Sequence, residues 1–219
     1  MDLKNKNKIN NETLLVVVGS LLLIISFILF NYEKILEVKN NLYNSIQTEI
    51  YKENMKEVSV NVSVDYVDTD GDIEDDIKED SYTPNYIAFL EIDKIGLRQG
   101  LLPVNDYYNN VSYHVQILNI SNMPDVLNGN LILAAHSGSS SIAYFKNLYK
   151  LELNDIAKVY YNGKVYKYKI NNIYYELKDG SIKIYRDFNK TTLTLITCTK
   201  NDKQHQTVYI SELIGVETY

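Results

Sequence analysis

Residues 14–30 form an apolar run of seventeen residues, broken only by Gly19, Ser20 and Ser26. As a helix the run is about 25 Å long at 1.5 Å per residue, near the short limit for crossing the hydrocarbon of a bilayer. A helix packed on a soluble core keeps a polar stripe, and this one has none. Lys4, Lys6 and Lys8 precede it, while Tyr32 follows at the level of an interfacial aromatic and Glu33 comes next. No small-x-small cleavage pattern follows the run. It therefore reads as an uncleaved signal-anchor over 14–32, with 1–13 as a cytoplasmic tail and everything after it outside the cell. The expected location is the cell membrane, single-pass, with the working domain extracellular.

After the anchor, Ile35, Leu36, Val38, Leu42, Ile46 and Ile50 recur at helical spacing with charged residues between them, the pattern of an amphipathic stalk. Cutting the chain after residue 56 is expected to leave a soluble, active domain. The stretch 65–80 is strongly acidic, and Asp68, Asp70, Asp72 and Glu79 fall at positions one, three, five and twelve of a calcium-loop spacing. However, Ile73 occupies the sixth position, where the turn requires glycine, and Asp75 the eighth, where an apolar residue packs. An acidic solvated linker is the better reading, with calcium binding kept as its alternative. No other cofactor is expected. Stalk and linker together take up 33–84.

From residue 85 onward the chain has β character. An apolar stretch at 86–92 is followed by Asp93-Lys94-Ile95-Gly96-Leu97, and 131–135 is a continuous apolar strand. A short helix or turn is expected over 141–148. Asn162-Gly163 between 157–161 and 164–174 predicts a hairpin over a type I′ turn. Strands at 193–198 and 207–216 complete the set. Short strands with little helix predict a closed or nearly closed antiparallel barrel.

The composition excludes some functions. A net charge of −6 with scattered lysines is wrong for a nucleic-acid binder, which needs a clustered basic face, so no nucleic-acid partner is expected. A single cysteine rules out an intrachain disulfide framework. That cysteine, Cys198, ends the run Thr194-Leu195-Ile196-Thr197-Cys198, in which alternate residues face opposite sides of a strand. A lone cysteine is most often a small buried hydrophobe. Cys198 differs in being delivered to a strand end, while a histidine, His136, ends another apolar strand at Ala135-His136-Ser137.

Thr194 to Cys198 resembles the T-L-x-T-C signature of the sortases, the cysteine transpeptidases of Gram-positive cell surfaces. Ala135-His136-Ser137 resembles the strand-end histidine motif of the same family, and the order, histidine first and cysteine about sixty residues later, agrees. The segment 92–97 is similar to the first hairpin of a sortase, with Asp93 where proline is usual. The resemblance covers roughly 85–219. It implies a mainly β fold, a sortase-like eight-stranded β-barrel, preceded here by the transmembrane helix and helical stalk.

A thiol with an ordinary pKa of roughly 8.5 is mostly protonated at neutral pH, so acyl transfer needs a base or acid partner in reach. The resemblance makes Cys198 the nucleophile and His136 the general acid for the leaving amine. It implies that Cys198 attacks the threonine carbonyl of an L-P-x-T-G-like sorting signal, forms a thioacyl enzyme and passes the acyl group to an amine. The implied partners are surface proteins with a C-terminal sorting signal, a cell-wall precursor or pilin amine as acceptor, and the membrane. Thr197, Ala135 and Ser137, which flank the catalytic pair, are expected to contact substrate. The family's third residue is an arginine on the last strand, and here its position holds Gln206, with Lys203, His205 and Arg186 as alternative sources of charge.

Gln206 motivates a rival reading, a catalytically weak sortase-like module that binds sorting signals or pilus components. A papain-like hydrolase fits less well, because it places cysteine before histidine and at a helix start. His114, His136 and His205 with one cysteine show no zinc-ligand spacing, so no metal is expected.

Overall fold

In the computed structural model, residues 11–58 and 84–219 are described. The candidate calcium loop at 68–79 lies outside them. Helix α1 (Asn11–Val58) is continuous, and the chain divides between Asn40 and Asn41 into two compact units. The first unit contains Leu14–Tyr32, a segment long and apolar enough to cross a membrane, whose apolar side chains are not buried.

The second unit is a mixed, mainly antiparallel sheet of eight strands: β1 (Ala88–Ile92), β2 (Leu97–Leu101), β3 (Gln116–Ile117), β4 (Asn130–Ala134), β5 (Ile156–Tyr161), β6 (Lys164–Leu177), β7 (Thr192–Cys198) and β8 (His205–Thr218). Their order across the sheet is β2-β1-β5-β6-β8-β7-β4-β3, curled into a nearly closed barrel. The expected hairpin is present: Asn162 and Gly163 have φ of 48° and 69°, the two positive values that a type I′ turn requires. The β1–β2 connection is a 3-10 turn over Asp93–Ile95 closed by Gly96 in the left-handed region. In the segment expected to hold a short helix or turn, turns lead into a 3-10 turn at Leu148–Lys150. The long strands β6 and β8 pair over nearly their full length, with register shifts at Lys167/Tyr168 and Ile170/Asn172 that let the ribbon bend around the core.

The expectation of a wholly antiparallel barrel is corrected at one place. Strands β4 and β7 run parallel, with Leu133 beside Leu195 and Ala134 beside Ile196. A parallel pair needs a long crossover, and the 57 residues between Ala134 and Thr192, which carry β5 and β6, supply it.

Alternation sorts β7 into two faces. Leu193 and Leu195 enter the barrel interior with Leu90, Leu131, Leu133 and Tyr168. Ile196 faces the other way, into a second cluster with Ile132, Val208 and Ile210 that Ile182 and Ile184 of the β6–β7 connection help cover. Each fully buried side chain of this size contributes about 1.5–3 kcal/mol.

The second half of α1 also belongs to the barrel unit. Tyr51 is buried against Phe89, with ring centroids 5.1 Å apart, and its hydroxyl donates to the Ile87 carbonyl at 2.9 Å. A cut after residue 56 removes Tyr51 and the buried Thr48 from this unit.

Candidate active site

The site grows from the outward face of three neighbouring strands. Ile132 and Ala134 on β4, Thr194 and Ile196 on β7, and Val208 and Ile210 on β8 share strand parity, and all but Thr194 belong to the second cluster or pack against it. One further alternation brings each strand to its end, at His136, Cys198 and Gln206. In the antiparallel β7–β8 pair Cys198 lies directly opposite Gln206. On the other side the parallel register sets Ala134 beside Ile196, and the Ala135 amide still donates to the Ile196 carbonyl at 3.2 Å. Two residues on, past the last paired position, His136 and Cys198 line the same cleft. The three residues thus form a row at neighbouring strand ends, in the sheet order β4, β7, β8.

Residues between them hold the row in register. Thr197, on the inward parity, is 6% exposed and donates its hydroxyl to the Ala135 carbonyl at 2.8 Å. Ala135 is 5% exposed. Both residues, expected to contact substrate, have buried side chains, and the Thr197 hydroxyl is committed to the β4–β7 link. The Thr199 and Thr207 hydroxyls share a hydrogen bond of 2.9 Å just past the strand ends. Ser137, by contrast, lines the open cleft with His136 and Cys198, a space of about 930 Å³.

Gln206 stands beside Cys198, but its amide donates to the Ser181 carbonyl of the β6–β7 connection at 3.4 Å. The alternatives fare differently. Arg186 is excluded, because its guanidinium donates to the Asn128 and Lys190 carbonyls, both at 3.1 Å, beside Thr192 at the start of β7. Six residues of strand, about 20 Å, separate that position from Cys198. The His205 ring is held by Asp202 at 2.7 Å. Lys203 lines the cleft.

Sequence reasoning missed two features of the cleft wall. Tyr149, from the segment after β4, lies under Lys200 of the β7–β8 loop, with the ammonium 3.5 Å from the ring centroid. A hydrogen bond from Lys200 draws the Tyr149 hydroxyl pKa below its ordinary value. Lys146, Lys178, Lys200 and Lys203 all line the cleft. Their spacing in the chain gives no signal, because only the fold gathers them.

The Cys198 thiol, at the end of a parallel-paired barrel strand, and the His136 imidazole, just past the end of the neighbouring strand, line the same open cleft. The Sortase domain family model matches residues 90–213, more than half of the chain, and the chain belongs to the sortase family. Among solved structures it is similar to the sortase D5 transpeptidase of Clostridium perfringens, at 24% identity over 59% of this chain and 79% of that one, with a TM-score of 0.51. Sortase A of Corynebacterium diphtheriae is similar at 22% identity over 63% of this chain and 64% of that one, with a TM-score of 0.54. Sortase C-1 of Actinomyces oris is similar at 23% identity over 62% and 76%, with a TM-score of 0.51. At these identities the likeness concerns the fold, and it spans several sortase classes. No curated protein matches the chain.

Proposed function

We propose that this sortase is a membrane-anchored transpeptidase acting outside the cell on surface proteins that carry an L-P-x-T-G-like sorting signal. The Cys198 sulfur attacks the threonine carbonyl carbon, and the carbon–nitrogen bond to the following glycine breaks as His136 gives a proton to the leaving amine. An amine of a cell-wall precursor or pilin then attacks the thioester and gives a proton to His136, and the thiolate leaves. Gln206 takes the part of an oxyanion donor through its amide N–H. The observation that carries this reading is the row of His136, Cys198 and Gln206 across three adjacent strand ends at an open cleft. Ser137, on the cleft wall, is the substrate contact of this reading. The apolar segment Leu14–Tyr32 supports the anchor.

The test is thioacyl capture. Full-length enzyme in detergent, mixed with a sorting peptide, is expected to gain the mass of the acyl fragment on Cys198 and to release it to hydroxylamine. Cys198→Ala is expected to abolish capture and turnover while melting like the wild type. Product formation by that variant would sink the assignment. The Gln206–Ser181 bond favours a second reading, a module that binds sorting signals with little turnover. Under that reading the wild-type chain binds the peptide and forms no adduct.

A further inference from the structure

The cleft around Cys198 gathers positive charge in a chain that is negative as a whole. Lys146, Lys178, Lys200 and Lys203 line it against a single carboxylate, Asp202, whereas the sequence carries 28 acidic and 22 basic residues. Asp202 is spent within its own loop: one oxygen is 2.7 Å from the His205 ring, and the other accepts the Gln204 amide at 2.8 Å. Lys178, Lys200 and Lys203 form no ion pair with a described residue. These lysines come from separate elements, Lys178 just past β6 and the other two from the β7–β8 loop. A hydrogen bond of 2.9 Å from the Lys178 amide to the Gln204 carbonyl ties the two segments together. Like charges converging on one open cleft repel, and the arrangement becomes favourable when an anion enters. Tyr149 under Lys200 orients one of them, so the charge is held at the cleft wall and not left to free side-chain motion.

We propose that the sorting peptide this cleft takes is acidic, with carboxylates one residue removed from the scissile bond on either side that pair with Lys178, Lys200 and Lys203. The inference rests on the sortase reading above and adds the chemical class of its substrate. It also gives these lysines a role separate from the acyl-transfer row, because they select the peptide and do not touch the bond that breaks.

Three peptides on one L-P-x-T-G frame test it, differing only at x and at the residue after glycine, where they carry glutamate, glutamine or lysine at both positions. With full-length enzyme at low ionic strength, kcat/KM for thioacyl formation is expected to be about tenfold higher for the glutamate peptide than for the glutamine one, the order given by two or three exposed ion pairs. The lysine peptide is expected to be slowest, and the spread should shrink as added salt shortens the screening length. Lys178→Glu, alone and with Lys200→Glu, is expected to reverse the ranking in favour of the lysine peptide, which damage to the fold could not do. Equal rates for the three peptides overturn the inference while leaving the sortase reading standing. So does an unchanged ranking in the lysine variants together with weakened binding to anionic phospholipid vesicles, which would assign the charge to a membrane surface. No adduct from any peptide defeats the sortase reading, and this inference with it.

Discussion

In the proposed mechanism, Gln206 decides how much acyl-transfer chemistry the row of strand ends supports. Its amide N–H can stabilise an oxyanion without carrying charge, and releasing the 3.4 Å contact with Ser181 gives up only a weak hydrogen bond. Gln206→Ala is therefore expected to lower the rate of thioacyl formation by about 10² to 10³, the scale for one oxyanion donor. Gln206→Arg is expected to keep or raise the rate, since a guanidinium gives a charge-assisted donor from the same register position. Wild-type behaviour of Gln206→Ala, with collapse in Lys203→Ala, would move the third role to Lys203. At this scale the strand positions of the candidate residues were legible beforehand. The two-residue period of β7 put Cys198 on the face away from Leu195, and the spacing of the last strand named Gln206. The commitment of Thr197 to the Ala135 carbonyl was not legible, because it depends on a strand 62 residues away in the chain.

At the scale of elements, local signals were read well and long-range pairings were not. Asn162-Gly163 announces its own turn, but nothing in 131–135 says that its partner β7 runs parallel to it, because a continuous apolar run serves either direction. The β1–β2 turn shows the same limit. Asp93 stands where the resemblance implies proline, and the structure gives it a partner on β5: Lys158 reaches the Asp93 carboxylate at 2.6 Å and that of the buried Glu91 at 3.0 Å. Hydrogen bonding from Lys158 holds the Asp93 carboxyl below its ordinary range. Tyr160, buried and beside the Glu91 carboxylate, has its hydroxyl pushed up to about 12. A carboxyl whose pKa is depressed by folding stabilises the fold above its unfolded value of about 3.9 and loses that contribution as pH falls through the folded value. The contribution of Asp93 is expected to be below about 1 kcal/mol, because its side chain is largely exposed. The melting difference between wild type and Asp93→Asn is expected to be constant from about pH 5 to pH 8 and to close below about pH 4. A difference that grows on acidification would show that the pair is not formed.

The whole molecule has one boundary that composition hid. Helical periodicity marked 33–56 as a stalk, yet periodicity cannot say which face of a helix docks, and the division falls inside the helix, between Asn40 and Asn41. The exposed apolar segment before it leads to a fractionation test: full-length chain is expected to stay in the pellet after carbonate extraction, and a chain beginning at Asn41 to remain in the supernatant. Full-length chain in the supernatant would end the anchor reading. The choice of cut also matters for the barrel. Starting at 57 exposes Phe89, which is 1% exposed when Tyr51 covers it, and frees the Ile87 carbonyl that the Tyr51 hydroxyl satisfies. Loss of one buried aromatic costs about 3 kcal/mol, a large part of the 5–15 kcal/mol by which a domain is stable. The 57–219 chain is accordingly expected to melt about 10 °C below the 41–219 chain. Tyr51→Ala within 41–219 should reproduce most of that loss, since Tyr51 packs its ring on Phe89 and donates its hydroxyl to the Ile87 carbonyl. Equal melting of the two chains would mean that the helix does not hold the barrel, and a Tyr51→Ala variant as stable as its parent would move the contribution to Thr48 and its neighbours.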